Sequence, residues 1–131
     1  PAVTALSLVA RLGFAWLSGN GDLHAKNLSV MGESIHQMDL APSYDLPSTL
    51  FYGDTTLALT VGGRDTLTRR RLASFALGLR LRPAAVDIAI DSLLSRSRDL
   101  LDSLSALPFD ARTLAKVTRQ LTVRRRDLEA T

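Results

Sequence analysis

Apolar residues recur at helical spacing from Leu6 to Leu17, and the pattern stops at Ser18-Gly19-Asn20-Gly21. Leu6, Val9, Ala10, Gly13, Phe14 and Leu17 follow at i, i+3, i+4, i+7, i+8 and i+11, one face of an amphipathic helix. Its start falls near Val3 or Thr4, with Thr4 as a candidate cap, and the glycines supply the left-handed conformations that end a helix. After Asn27 the period becomes two. Leu28 to Met31 predicts a short strand, Gly32-Glu33-Ser34 a turn, and Ile35 to Leu40 the returning strand. The nine residues between helix and hairpin, GNGDLHAKN from Gly19 to Asn27, are therefore confined to a loop held at both ends.

The next tract, LAPSYDLPST, is forced into extended or turning backbone, because the residue before each proline avoids the helical region. A hairpin of this length turns the chain back and can bring Asp45 near Asn27. Leu50 to Gly63 is ambiguous: Thr56 to Val61 could form a strand, ended by Gly62-Gly63. From Thr68 the pattern is helical. Leu72, Phe75, Ala76 and Leu79 predict a helix stopped before Pro83. Val86, Ile90, Leu93, Leu94, Leu100, Leu101 and Leu104 predict a long second one, stopped near Pro108. Asp110 would cap a third carrying Leu114, Val117, Leu121 and Leu128. The expected fold is mainly α with a small β-hairpin, one domain over residues 1–131, with a helical subdomain at 68–128.

A chain of 131 residues buries roughly 65–70% of its unfolded surface. With 46% hydrophobic and 22% charged residues it has the composition of a soluble globular domain rather than a disordered one. The absence of cysteine excludes disulfides and thiolate metal sites. The apolar stretch from Ala5 to Leu17 is broken by Arg11, is too short to span a bilayer and lacks the features of a signal peptide, so a cytoplasmic protein is expected. The chain opens at Pro1 directly into a helical pattern, which suggests a piece of something longer. Net charge is +3, and the basic residues gather in Arg69-Arg70-Arg71 and Arg124-Arg125-Arg126. Such runs either attract phosphates or acidic partners, or are two solvated helix faces.

The loop assembles the parts of phosphoryl transfer, which needs an acid to accept the hydroxyl proton and hard oxygen ligands for magnesium. Asp22 is the candidate base. Asn27, five residues on, offers an amide oxygen to the metal, and Asp45 a charged second ligand. Protein kinases order their catalytic loop in the same way, Asp then four residues then Asn, with a metal-binding Asp on a later strand end. His24 sits where those enzymes carry lysine; at an ordinary pKa of about 6.5 it hydrogen-bonds a phosphate rather than pairing with it as a full charge. Lys26 faces the transferred phosphate or points to water. Each residue alone also has a structural reading: Asp22, Asn27 and Asp45 as turn residues and His24 as a packing residue. A zinc hydrolase fails on ligand count, since His24 and His36 are the two histidines and no H-E-x-x-H helix exists. His36 reads as a surface residue on the returning strand.

GNGDLHAKNLSV followed by LAPSYDLPST resembles the HipA-like serine/threonine kinases of type II toxin–antitoxin systems, whose motif is a G-N-x-D-x-H-A-K-N-type loop and then a P-x-Y-D tract. The looser D-x-H-x-x-N pattern also occurs in lipid kinases and aminoglycoside-type phosphotransferases, and the latter small-molecule activity is an alternative. LALTVGG, Leu57 to Gly63, is similar to a further family segment. The resemblance implies the C-terminal lobe of a protein-kinase-like α+β fold, with a catalytic loop at 19–27 and a metal-binding tract at 40–49. It implies Asp22 as base, His24 and Lys26 beside the phosphates, and Asn27 and Asp45 as magnesium ligands. ATP would be the donor and a protein serine or threonine the acceptor, an aminoacyl-tRNA synthetase in the best known members, with growth arrest as the outcome. A small helix-turn-helix antitoxin, HipB-like, would bind the kinase and operator DNA. This sequence departs from the family in lacking the N-terminal lobe: no glycine-rich loop is present and no lysine precedes Lys26. The expectation is therefore an inactive segment on its own, with an apolar face exposed where that lobe would sit. The alternative of a different class is a non-catalytic remnant whose arginine-rich helices bind an antitoxin or DNA.

Overall fold

The computed structural model describes residues 2–23, 27–34, 37–43 and 48–130. Helix α1 runs Ala2–Ser18, and its C-terminal half is buried on most sides through Val9, Leu12, Ala15, Trp16 and Leu17. The predicted stripe is therefore part of a wider contact. The helix ends as its sequence demands: Gly19 takes φ 72°, its N–H donates to Trp16 O at 3.3 Å, and the Asn20 N–H donates to Ala15 O at 2.8 Å. Thr4 is not a cap. It lies inside the helix and donates its hydroxyl to Asp39 Oδ1 at 2.7 Å, tying α1 to the hairpin. Arg11 adds a second tie, donating to Ala41 O.

The hairpin is shorter than the alternation predicts. Strands β1, Val30–Met31, and β2, Asp39–Leu40, pair antiparallel with Val30 opposite Leu40 and Met31 opposite Asp39. Ile35 and His36 lie outside the described residues. No strand forms over Thr56–Val61. Val61 and Arg64 bridge across the Gly62-Gly63 turn, but the Leu57 N–H donates to Asp65 O at 3.0 Å, out of register with that bridge. A continued ladder would place Thr68 opposite Leu57. Thr68 is instead committed to the next helix, its hydroxyl accepting from the Arg71 N–H at 3.1 Å.

That helix, α2, spans Arg69–Gly78, and α3 spans Pro83–Arg96 with proline at its first position. The long helix expected to reach Leu104 is broken. Beyond a turn at residues 97–99 come a short α4, Leu100–Ser103, and a 3₁₀ turn, Leu104–Ala106. The break is caused by a residue far along the chain. Arg125 donates to Leu94 O at 2.7 Å, the carbonyl that the Arg98 N–H would need, and also to Ser97 Oγ at 3.2 Å; Arg98 turns to Ser95 O. Helix α5, Ala111–Glu129, starts as predicted at Asp110, whose carboxylate accepts the Thr113 N–H at 2.8 Å and its hydroxyl at 2.9 Å. Those bonds hold the Asp110 carboxyl below its ordinary range.

The main core gathers α1, α2, α3, Leu57, Val61, Leu67 and Leu128. A second cluster joins Leu50, Leu104, Val117 and Leu121. Beside it Phe51 stacks on Phe109 with centroids 4.3 Å apart. The architecture is mainly helical with one antiparallel hairpin, as the sequence predicts. Among the described residues no helix is long and apolar enough to cross a membrane.

Candidate functional site

The loop that follows α1 is pinned from two sides. Asn20 is fully buried, and its Oδ1 accepts the Asp22 N–H at 2.9 Å. From the far side of the hairpin, Thr49 Oγ1 accepts the Gly21 N–H at 2.8 Å and donates to Gly19 O at 3.1 Å, while the Thr49 N–H donates to the same carbonyl at 2.8 Å. Residue 21 must be glycine for this approach. A Cβ there would sit 2.5 Å from Thr56 O and 2.8 Å from the Asp54 carboxylate. Leu23 then returns to the core, leaving Asp22 exposed between two buried side chains.

Asn27, five residues further on, is buried. With Arg11, Phe14, Leu23 and Ser43 it lines a hollow of about 210 Å³ on the flank of α1. Asp22 and Asn27 thus belong to one loop whose ends are set by α1 and the hairpin. His24, Lys26 and Asp45 lie outside the described residues. The end of the 40–49 tract, represented by Thr49, lies directly against the loop.

The arginine runs are not two solvated faces. Arg69 is buried and donates to Asp91 Oδ1 at 2.8 Å, Asp87 Oδ1 at 3.0 Å and Leu128 O at 3.3 Å, and the Asp91 bond above all raises its pKa. Arg124 is 5% exposed. Its guanidinium lies 4.0 Å over the Trp16 ring and donates to Trp16 O and Thr55 O. Burial lowers its pKa, and burial also pushes the Asp127 carboxyl up. Arg125 is half-buried against Leu94 and Ser97 and pairs with Glu129 at 2.9 Å. Consecutive helical residues point about 100° apart, so a run of three cannot form one face and one member is turned inward.

The motif does not mark Asn20 and Thr49, which brace the loop, or Arg124, which holds the end of α1 just before it. Asn20 was legible as the buried partner of an Asx turn, since it stands two residues before Asp22. Thr49 and Arg124 act across 28 and 108 residues, and no local pattern marks them.

A mainly helical domain that presents an acid from a braced loop between a buried helix and a hairpin defines the class. The same fold occurs in a chain of the Shewanella oneidensis MR-1 toxin–antitoxin complex of HipA, HipB and operator DNA, with a TM-score of 0.68 and 25% identity, covering 95% of this chain and 31% of that one. The model of the HipA-like C-terminal domain matches residues 2–101, and the chain belongs to that family. Putative kinase Y4mE of Sinorhizobium fredii is 31% identical over 120 residues, 85% of this chain and 28% of its own length. Putative kinase Y4dM of the same organism is 45% identical over 53 residues, 39% of this chain and 13% of its own length. The chain thus spans less than a third of the length of each of these relatives.

Proposed function

We propose that this domain carries the catalytic loop of a cytoplasmic protein kinase of the HipA type. The observation that carries the reading is the exposed Asp22 on a loop braced at Gly19, Gly21 and its own amide, with Asn27 following at the kinase spacing. Asp22 takes the proton of a substrate serine or threonine as that hydroxyl oxygen bonds the γ-phosphorus of ATP and the bond to ADP breaks. The family resemblance gives His24 and Lys26 the role of neighbours to the phosphates. The donor set suits magnesium, because the amide oxygen of Asn27 and the carboxylate of Asp45 are hard oxygens. Bound there, magnesium would neutralise charge on the nucleotide phosphates.

The Shewanella assembly contains HipB and operator DNA. By analogy, the partner here is a helix-turn-helix antitoxin that carries the kinase to DNA, and the acceptor is a protein such as an aminoacyl-tRNA synthetase. The relatives are at least three times longer, so the proposed activity is that of a full-length polypeptide rather than of the 131 residues alone. The remnant reading has fewer arginines to draw on, since Arg69 and Arg124 are buried and Arg125 is engaged while Arg70 and Arg126 stay exposed. Duplex DNA titrated at low and high salt is accordingly expected to show no salt-sensitive binding by this domain.

The decisive assay is transfer from ATP to protein substrate by the full-length polypeptide carrying this domain. Asp22→Asn and Asp45→Asn should each lower kcat by about 10³-fold or more, in line with loss of a base or of a metal ligand. Unimpaired transfer by both variants would end the kinase reading, and phosphorylation of an aminoglycoside in place of protein would favour the small-molecule alternative.

A further inference from the structure

Beyond the end of α1, three backbone groups of the loop take up their hydrogen bonds in an unusual way. The Gly19 carbonyl and the amides of Gly21 and Asp22 are satisfied by two residues, Thr49 and Asn20, and by no helix or strand ladder. Thr49 opens the 3₁₀ turn Leu50–Tyr52, the position where a threonine hydroxyl would normally cap. It makes no cap bond there. Its hydroxyl instead accepts from Gly21 and donates to Gly19 O at 3.1 Å, with Asp54 O a longer second acceptor at 3.4 Å. Asn20 has no exposed surface, and its side-chain oxygen is oriented by the Asp22 amide that it accepts. The absence of a Cβ at Gly21 lets the two segments approach this closely, and at Gly19 a Cβ would fall 2.6 Å from Leu50.

From this geometry we infer that Thr49 and Asn20 are positioning residues for Asp22. Together they fix the backbone from which its carboxylate is presented. Thr49 also stands four residues after Asp45, so one hydroxyl ties the end of the metal-binding tract to the loop that carries the base. The catalytic part of this inference rests on the kinase reading above; the bracing does not.

Thr49→Val keeps the shape of the side chain and removes the hydroxyl, whereas Thr49→Ser keeps the hydroxyl. In the 131-residue chain, hydrogen exchange at the Gly21 amide should quicken by about tenfold in the valine variant and stay near the parent in the serine variant. In the full-length polypeptide, the valine variant should lose about 10- to 100-fold in kcat with the KM for ATP unchanged, and serine should restore kcat. A Gly21 amide as protected in the valine variant as in the parent overturns the inference, as does a serine variant as impaired as the valine one. Should the valine variant fail to fold, the serine variant decides alone, because loss of Gly21 protection there sinks the role of the hydroxyl. Failure of the kinase reading is separately visible: Asp22→Asn would then leave transfer intact while Gly21 exchange still reports the brace.

Discussion

At the scale of single residues, Arg124 shows how a charge is used as a structural part. It makes no ion pair among the described residues; it stacks on Trp16 and reaches one carbonyl at the end of α1 and another in the segment after Tyr52. Those two carbonyls flank the loop, Trp16 just before it and Thr55 beside Gly21's neighbour Thr56. Methionine at this position would keep the apolar stem packed. It would remove the stack and leave the Thr55 carbonyl short of its donor. Arg124→Met should therefore cost about 2–3 kcal/mol, read as a lower urea midpoint at unchanged m-value. Arg124→Lys should recover little of it, because an ammonium cannot lie flat on the ring and span both carbonyls.

Helices and strands were legible where a single local rule governed them. The end of α1 at Gly19 and the start of α5 at Asp110 follow from glycine conformation and an acidic cap, and both hold. Errors arose where a distant residue intervened. Ser97 interrupts the long helix because Arg125, 28 positions on, occupies its carbonyls, and Thr56–Val61 is not a strand because Thr68 is already engaged in capping α2. The candidate site divides in the same way: the order Asp22, Asn27, Asp45 and the Asx-turn position of Asn20 were visible, whereas the distant brace from Thr49 was not. One element carries a local misfit. Helix α2 ends with Arg80 at φ 60°, the left-handed position usually given to glycine, while Gly78 lies two residues too early. Relief of that strain outweighs the added freedom of the unfolded chain, so Arg80→Gly should stabilise the domain by about 0.5–1 kcal/mol in thermal or urea unfolding.

For the molecule as a whole, the family match ends at residue 101, yet α5 beyond it is not an appendage. It contributes Val117 and Leu121 to one apolar cluster and Leu128 to the other, and it supplies Arg124 to the end of α1. A chain ended at residue 109 should lose cooperative thermal unfolding monitored by far-ultraviolet circular dichroism, since both clusters would stand open. The placement of Trp16 gives this dependence an optical consequence. It is the chain's one tryptophan, and its indole is covered by a guanidinium borne on the last helix. Its emission is thus a built-in gauge of whether the C-terminal helix is seated, readable without any label.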